Sequence, residues 1–239
     1  EAVIQIDGQA AVVPPVSSKV EKSTKPKRLL LPDKNENNDR VIAYLMGRGM
    51  HRDIIDYCIK SKRLYESRNY HNAVFIGFDK QGVPRYGTLR GTSARRFLGE
   101  VNGSDKHFSF SIPTQNKSSK LHLFESAIDL LSYCTLELQS CKDWRQESYL
   151  SLAGIYKPKQ NIKESTPPAA LMQFLKDNPH IKDIALHLDN DTAGRLAAKT
   201  IQTILPALYT VSDEPPIRGK DYNDYLKITL KMRQPKERE

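Results

Sequence analysis

The chain has 239 residues, of which 38% are hydrophobic and 27% charged, and its formal net charge is +9. These values are typical of a soluble protein with one large domain or two of ordinary size. No apolar run approaches membrane-spanning length and no signal peptide is visible, so we expect no membrane partner. Three cysteines without a Cys-x-x-Cys pair favour a reducing, cytoplasmic location and argue against a zinc site or a disulfide framework. Because the chain begins with Glu1 rather than Met, we expect it to be a fragment of something longer.

The positive charge is concentrated in the first half of the chain. Residues 1–120 carry 21 basic and 12 acidic side chains, whereas residues 121–239 carry 16 of each. A basic half beside a neutral half with clustered acids suits a polyanion that is held next to a metal site. The alternative is a basic surface that serves solubility.

The first 37 residues have the composition of a linker or of the end of a missing domain. Residues 38–118 predict a basic α+β lobe, in which two short helices flank a Gly-Arg-Gly turn. A β-hairpin with strands at 73–78 and 83–90 follows, and a further strand is predicted at 106–113.

Several basic side chains are candidates for contacts with phosphate groups. Glycines, small hydroxyl groups and guanidinium groups occur together in the loop LRGTSARRFLG, a composition that suits contact with a nucleic-acid backbone. The alternative for this loop is a charged rim without a ligand. The predicted nucleic-acid or phosphate-binding residues are Arg48, Arg90, Arg95, Arg96, Lys106 and Lys220.

Residues 119–231 alternate between strand and helix patterns, which predicts an α/β domain. The expected architecture is a sheet of about four parallel strands with helices on both faces. The strands are predicted at 121–125, 149–154, 184–191 and 207–211, and residues 232–239 form a charged tail without core residues.

Acidic side chains occur where the predicted parallel strands end. Asp189 and Asp191 follow the apolar segment IALHL, and side chains two apart on a strand lie on the same side. The carboxyl ends of parallel strands meet at one crevice, so Glu125 at the end of the first strand is expected to lie nearby. Neighbouring carboxylates repel each other unless a proton or a cation intervenes, and Mg²⁺ prefers oxygen ligands. We therefore expect these three carboxylates within reach of one cation.

Helix capping alone accounts for some of these acids but not for all of them. Asp191 could simply cap a helix, whereas Asp189 follows an apolar strand and caps nothing. Further acids at the same structural level are Asp129, Asp221 and Asp224. His122 and His187 lie inside predicted strands and are interpreted as packed core residues.

Three segments of the second half resemble the acidic signatures of the TOPRIM domain, namely FESAIDLL, LHLDNDTAGRLAA and GKDYNDYL. This domain is shared by bacterial DnaG-type primases, by type IA and type II topoisomerases and by some nucleases, and the resemblance covers about residues 121–230. It implies that Glu125, Asp189 and Asp191 are catalytic and hold Mg²⁺, for which Mn²⁺ could substitute. Asp129, Asp221 and Asp224 would then be additional ligands or would support the ligands.

The first half is similar to the N-terminal lobe of primase catalytic cores, including those of plasmids, phages and conjugative elements. The segments YLMGRGM, AVFIGFDKQGVPRYGTLRG and GSDKHFSF carry this similarity. It implies primase-like nucleotidyl transfer on single-stranded DNA from nucleoside triphosphates, with a helicase or another replication protein as a partner. The alternatives are a TOPRIM nuclease and a non-catalytic nucleic-acid-binding module of a mobile element.

Overall fold

The computed structural model of the chain describes residues 28–93, 97–114 and 116–233. Two of the predicted phosphate contacts, Arg95 and Arg96, lie outside these residues. So do most of the predicted linker and most of the predicted charged tail. Within the described ranges, no helix combines the length and the apolar character needed to cross a membrane.

The first lobe consists of two short helices and an antiparallel sheet. Both predicted helices are present, and the His51 side chain caps the second by accepting a hydrogen bond from the Asp53 amide at 3.2 Å. The predicted hairpin is confirmed by a register that pairs Ala73 with Arg90. The sheet has the order β1-β2-β3-β4. Its elements are α1 (Asp39–Gly47), α2 (Arg52–Lys60), β1 (Leu64–Glu66), β2 (Ala73–Phe78), β3 (Pro84–Arg90) and β4 (Leu98–Glu100).

The predicted strand at 106–113 is wrong in its first half. Lys106–Phe108 forms a 3₁₀ turn, and only Ser111–Ile112 is extended, as β5. The turn forms because the Asp105 side chain accepts a hydrogen bond from the His107 amide at 3.0 Å. Such a local side-chain bond competes with strand formation.

The second sheet contains the predicted parallel strands, with two corrections to their bounds. The strand predicted at 184–191 ends at His187, so Asp189 and Asp191 lie in the turn after it, and the strand predicted at 207–211 spans Thr210–Asp213. Its order is β5-β7-β6-β8-β9, in which the last four strands are parallel and β5 runs antiparallel along the edge. Its elements after β5 are β6 (Lys120–Phe124), α3 (Ala127–Gln139), β7 (Ser148–Ser151), α4 (Ala169–Asp177), β8 (Asp183–His187), α5 (Thr192–Ile204), β9 (Thr210–Asp213) and α6 (Tyr222–Arg233). The predicted α/β architecture is therefore present, with a fifth strand added.

Helices cover both faces of this sheet, as predicted. Leu121 and Leu123 of β6 pack in one apolar cluster with α4 and α5. Phe124 packs in another cluster with α3 and α6, because successive strand residues point to opposite faces. The second cluster also contains Ile54 and Ile55 of α2, so the first lobe and the second sheet share a core.

Segments that the sequence prediction assigned to separate domains are also joined by hydrogen bonds. β5 belongs to the predicted first lobe but pairs with β7 of the second sheet. The Asn223 side-chain amide donates to the Arg48 carbonyl and to Ser132 Oγ, both at 3.0 Å. The domain boundary near residue 118 stays a prediction, and the two predicted units are tightly connected.

The two strand histidines are buried, which confirms their interpretation as core residues. His122 and His187 are 1% and 2% exposed, and His122 Nδ1 lies 2.7 Å from His187 Nε2. His187 Nδ1 lies 3.0 Å from the Tyr222 hydroxyl, and His122 Nε2 contacts the Glu147 carboxylate. Each ring nitrogen thus has a polar partner, which buried polar groups require.

Candidate active site

Glu125 lies directly after β6, at the crevice where the parallel strands end. Its side chain is buried, and Oε1 accepts a hydrogen bond from the Asp189 amide at 3.3 Å. Burial and, to a smaller extent, the nearby Asp189 charge raise the pKa of Glu125 to about 7. β6 and β8 are adjacent parallel strands, so their ends bring these two acids together.

Asp189 and Asp191 are held by one lysine. Lys220 Nζ lies 3.4 Å from Asp189 Oδ2 and 3.1 Å from Asp191 Oδ2. Burial raises the pKa of Asp189, and the lysine charge opposes that rise. The pKa of Asp191 is lowered, first by the hydrogen bond from the Gly194 amide at 2.9 Å and then by Lys220. The carboxylate pair therefore already has a cationic partner in the protein.

The turn that carries these acids requires a glycine at position 194. A Cβ atom on Gly194 would lie 2.1 Å from the Asp189 carbonyl oxygen. Any larger residue would push the first turn of α5 away from the end of β8. The DNDTAG segment thus places both carboxylates through close backbone packing as well as through side-chain charge.

The three remaining predicted acids differ in their surroundings. Asp129 is buried and accepts hydrogen bonds from Ser126 Oγ at 2.5 Å and from the Asn223 amide at 3.4 Å. Burial raises the pKa of Asp129 to about 7, with a further contribution from Asp221. Asp221 caps α6 by accepting from the Asp224 amide at 2.7 Å. Asp224 itself is half-exposed, 4.0 Å from the Lys227 ammonium.

The expectation that Glu125, Asp189 and Asp191 lie within reach of one cation is not met in this arrangement, because the acids make pairwise contacts rather than a closed cage. Among the residues that the structure describes, no three His, Cys, Asp or Glu side chains are grouped closely enough to hold a metal ion. The donor set nevertheless suits Mg²⁺ or Mn²⁺, because it consists of carboxylate oxygens at a partly buried edge that needs positive charge. A divalent ion bound between Asp189 and Asp191 would take the place of the Lys220 ammonium.

Arg48 and Arg90 come together at a tyrosine that the sequence analysis missed. Arg90 Nε donates to the Tyr44 hydroxyl at 3.1 Å, and Arg48 Nη1 donates to the same oxygen at 3.4 Å. In the described part of the chain, neither guanidinium has a carboxylate within 4.0 Å. The spacing of four residues between Tyr44 on α1 and Arg48, which directly follows this helix, was the available signal.

The other two predicted phosphate contacts are engaged in ion pairs. Lys106 lies 3.2 Å from Glu100 Oε2, and Lys220 holds the two aspartates. Of the predicted basic residues within the described ranges, only Arg48 and Arg90 are thus free of acidic partners.

A cavity of about 280 Å³ lies between the first sheet and the acidic edge of the second. It is largely apolar, and Arg90 and Glu125 both line it. Sequence analysis did not identify most of the residues that line this cavity, because they come from strands and turns that are distant along the chain. Its apolar lining includes Phe75, Tyr86, Leu98 and Ile128.

Comparisons with known families agree with this architecture. Residues 122–226 match the family described as Toprim-like, and residues 43–117 match a family described as a protein of unknown function (DUF3991). A comparison with curated proteins found no match. The chain therefore carries a Toprim-like domain preceded by an α+β region.

Solved structures define the fold more closely. The primase fragment of the bacteriophage T7 primase-helicase protein is similar with a TM-score of 0.50 and 20% identity, over 75% of this chain and 66% of that one. The primase domain in a complex with T7 lagging-strand DNA polymerase gives 0.51 and 17%, over 78% and 85%. The Escherichia coli primase catalytic core gives 0.50 and 12%, over 85% and 72%. This chain therefore combines a Toprim-like domain at residues 122–226 with the overall fold of primase catalytic cores.

Proposed function

We propose that this protein is a Mg²⁺-dependent, primase-like nucleotidyltransferase that copies single-stranded DNA from nucleoside triphosphates. The main support is that Arg90 and Glu125 line one cavity. A guanidinium without an acidic partner and a buried carboxylate with a raised pKa thus border the same space, beside the ends of the parallel strands. Phosphoryl transfer needs this combination, because it depends on cations that position phosphates and on acids that hold metal ions.

The acidic side chains would hold the metal ion. Glu125, Asp189 and Asp191 would be its ligands, with Asp129, Asp221 and Asp224 supporting them. When bound, Mg²⁺ supplies the positive charge that stabilises the phosphoryl groups during transfer.

The remaining site residues would bind and position the phosphates. Arg48 and Arg90, both oriented by Tyr44, would bind phosphate oxygens from the side of the first lobe. Lys220, once displaced from the aspartates, would contact a phosphate. Glu125, whose pKa lies near neutrality, would release a proton as the cation binds. The predicted contacts Arg95, Arg96 and Lys106 would extend the phosphate-binding surface.

The proposed partners follow from the same reaction. They are single-stranded DNA, nucleoside triphosphates and a helicase or another replication protein in the cytoplasm. One similar structure is a fragment of a primase-helicase protein, which supports a helicase partner. The chain spans 66% of that fragment.

The direct test offers single-stranded DNA, labelled nucleoside triphosphates and Mg²⁺ or Mn²⁺, and separates the products by length. We expect products longer than one nucleotide from the wild type. Glu125→Gln and Asp189→Asn should each lower synthesis by at least about 100-fold, because the metal ligands act as a unit. Asp177→Asn, which changes an acid on α4 away from the crevice, serves as the matched control.

The outcomes separate the candidate functions. Shortened template without new products would indicate a nuclease. Salt-sensitive DNA binding with no product of either kind would indicate a binding module. Full activity in Asp189→Asn, with an unchanged melting temperature, would contradict the proposal.

A further inference from the structure

We propose that the cavity between the first sheet and the acidic edge binds a nucleobase. This inference rests on the proposed function and deepens it, because it assigns a site to the part of the nucleotide that the charged residues leave unbound. The cavity volume of about 280 Å³ is near the lower end of the range for small-molecule sites.

The walls of the cavity suit a flat, partly apolar ring. Phe75 and Tyr86 are each 1% exposed, so their positions are set by the surrounding core. Phe75 packs edge-on against Phe110, with ring centroids 5.4 Å apart. Leu98 and Ile128 complete the apolar lining. Aromatic and aliphatic walls bind bases through stacking and apolar contact, with little dependence on base identity.

Two charged groups border the same space and suit the rest of a nucleotide. Arg90 is held in place by its hydrogen bond to the Tyr44 hydroxyl. Glu125 lies at the sheet edge beside Asp189. Glu100 also lines the cavity, and Lys106 offsets its charge. A nucleotide suits both kinds of surface. Its base would lie between the apolar walls, and its phosphates would lie near the guanidinium group and the proposed metal-binding edge.

The backbone beside Glu125 is held in a preformed shape. Ala153 lines the cavity with a φ of 59°, a left-handed conformation that is unfavourable for a non-glycine residue. Its amide donates to Ser151 Oγ at 3.1 Å, and the Gly154 amide donates to the Glu125 carbonyl at 2.9 Å. These bonds hold the turn after β7 against the acidic edge, so this wall exists before any ligand binds.

The test fills the cavity and compares probes with and without a base. Thr88 lies on β3 at the cavity wall, and Thr88→Phe should occupy the space, since strands accept aromatic residues well. Val83→Phe, at an exposed position before the same strand, is the matched control. The probes are 2-aminopurine riboside triphosphate, single-stranded DNA with one 2-aminopurine, and inorganic tripolyphosphate, each with Mg²⁺.

We expect Thr88→Phe to weaken binding of at least one 2-aminopurine probe by about fivefold or more, and to leave tripolyphosphate affinity within about twofold. Val83→Phe should change neither. Loss of the free nucleotide alone assigns the cavity to the incoming nucleotide, whereas loss of the DNA probe alone assigns it to a template base. Unchanged affinity for both base-containing probes, or equal loss of all three, would overturn the proposal.

A second variant guards against misfolding of the first. Leu98→Ala removes an exposed residue at the cavity wall, with the exposed Leu208→Ala as its control. It should weaken the same base probe by about threefold without affecting tripolyphosphate. If Leu98→Ala has no effect on either base probe, the proposal fails. Failure of the proposed function would look different, since the wild type would then make no product while base-dependent binding persisted.

Discussion

The ammonium group of Lys220 lies 3.1 Å from the Asp191 carboxylate and also reaches Asp189, at 3.4 Å. It therefore occupies the position that a divalent cation would need. The hydrogen bond to Asp191 raises the pKa of Lys220, so the lysine stays charged at neutral pH and competes with the metal ion for both carboxylates.

Lys220→Gln should bind Mg²⁺ more tightly in the absence of nucleotide. Because the competing surface ion pair is removed, the free energy of Mg²⁺ binding should become more favourable by about 1 kcal/mol, which is about fivefold in affinity. Calorimetric titration at pH 8, where the carboxylates are ionised, measures the change. Lys199→Gln, on the exposed side of α5, is the control and should behave as wild type. Unchanged or weaker Mg²⁺ binding in Lys220→Gln would rule out competition.

Asp129→Asn should stabilise the metal-free protein at alkaline pH. Burial raises the pKa of Asp129 to about 7, so the folded state keeps a proton that the unfolded state releases. Wild-type stability from this group is therefore present at low pH and is lost progressively as the pH rises from about 4 to about 7. The free energy of unfolding of the variant should exceed that of the wild type by on the order of 2 kcal/mol at pH 8.

Urea unfolding in a chelating buffer, repeated between pH 4 and pH 8, measures this dependence. The advantage of Asp129→Asn should grow toward pH 7 and then stay constant. The surface change Asp56→Asn should show no such trend. An advantage that is independent of pH would mean that ionisation of Asp129 is not its cause.

Glu66→Ala should destabilise the first lobe. The carboxylate is 1% exposed and accepts hydrogen bonds from the Asn35 side chain at 2.8 Å and from the amides of Arg40 and Val41 at 3.0 and 3.2 Å. His71 Nδ1 contacts it as well, at 2.5 Å. Truncation leaves several buried donors without acceptors, at a cost of about 3 kcal/mol.

Chemical denaturation of Glu66→Ala against the exposed control Glu36→Ala checks this expectation. The control should unfold within about 0.5 kcal/mol of the wild type. If both variants match the wild type, the hydrogen bonds of Glu66 contribute nothing to net stability.

Arg90→Gln should weaken binding of single-stranded DNA or of tripolyphosphate with Mg²⁺ by about tenfold, because a charged hydrogen bond to phosphate is lost. If the contact is to DNA, the slope of log affinity against log salt should fall by about one. Fluorescence anisotropy over a salt series measures both quantities. Arg52→Gln, in which the lost arginine had Asp56 as its partner, is the control. An Arg90→Gln variant with wild-type affinity for both probes would remove this residue from the site.

Local patterns predicted much of the fold and of the acidic edge. The alternation of strand and helix yielded the parallel sheet, and the positions of Glu125 and Asp189 at strand ends predicted their proximity. The prediction was weaker where short-range hydrogen bonds compete with strand propensity, as at Asp105, which caps a turn. It also missed β5 as a member of the second sheet, since pairing between distant segments leaves no periodic signal.

The sequence by itself determined which residue types end each strand, because hydrophobic periodicity and the DNDTAG turn are encoded by neighbours along the chain. Only the tertiary structure decided that Lys220 sits between Asp189 and Asp191, that Tyr44 orients Arg90 from 46 residues away, and that an apolar cavity adjoins Glu125. These contacts join segments that are far apart in sequence, and their distances depend on how the two sheets pack around their shared core.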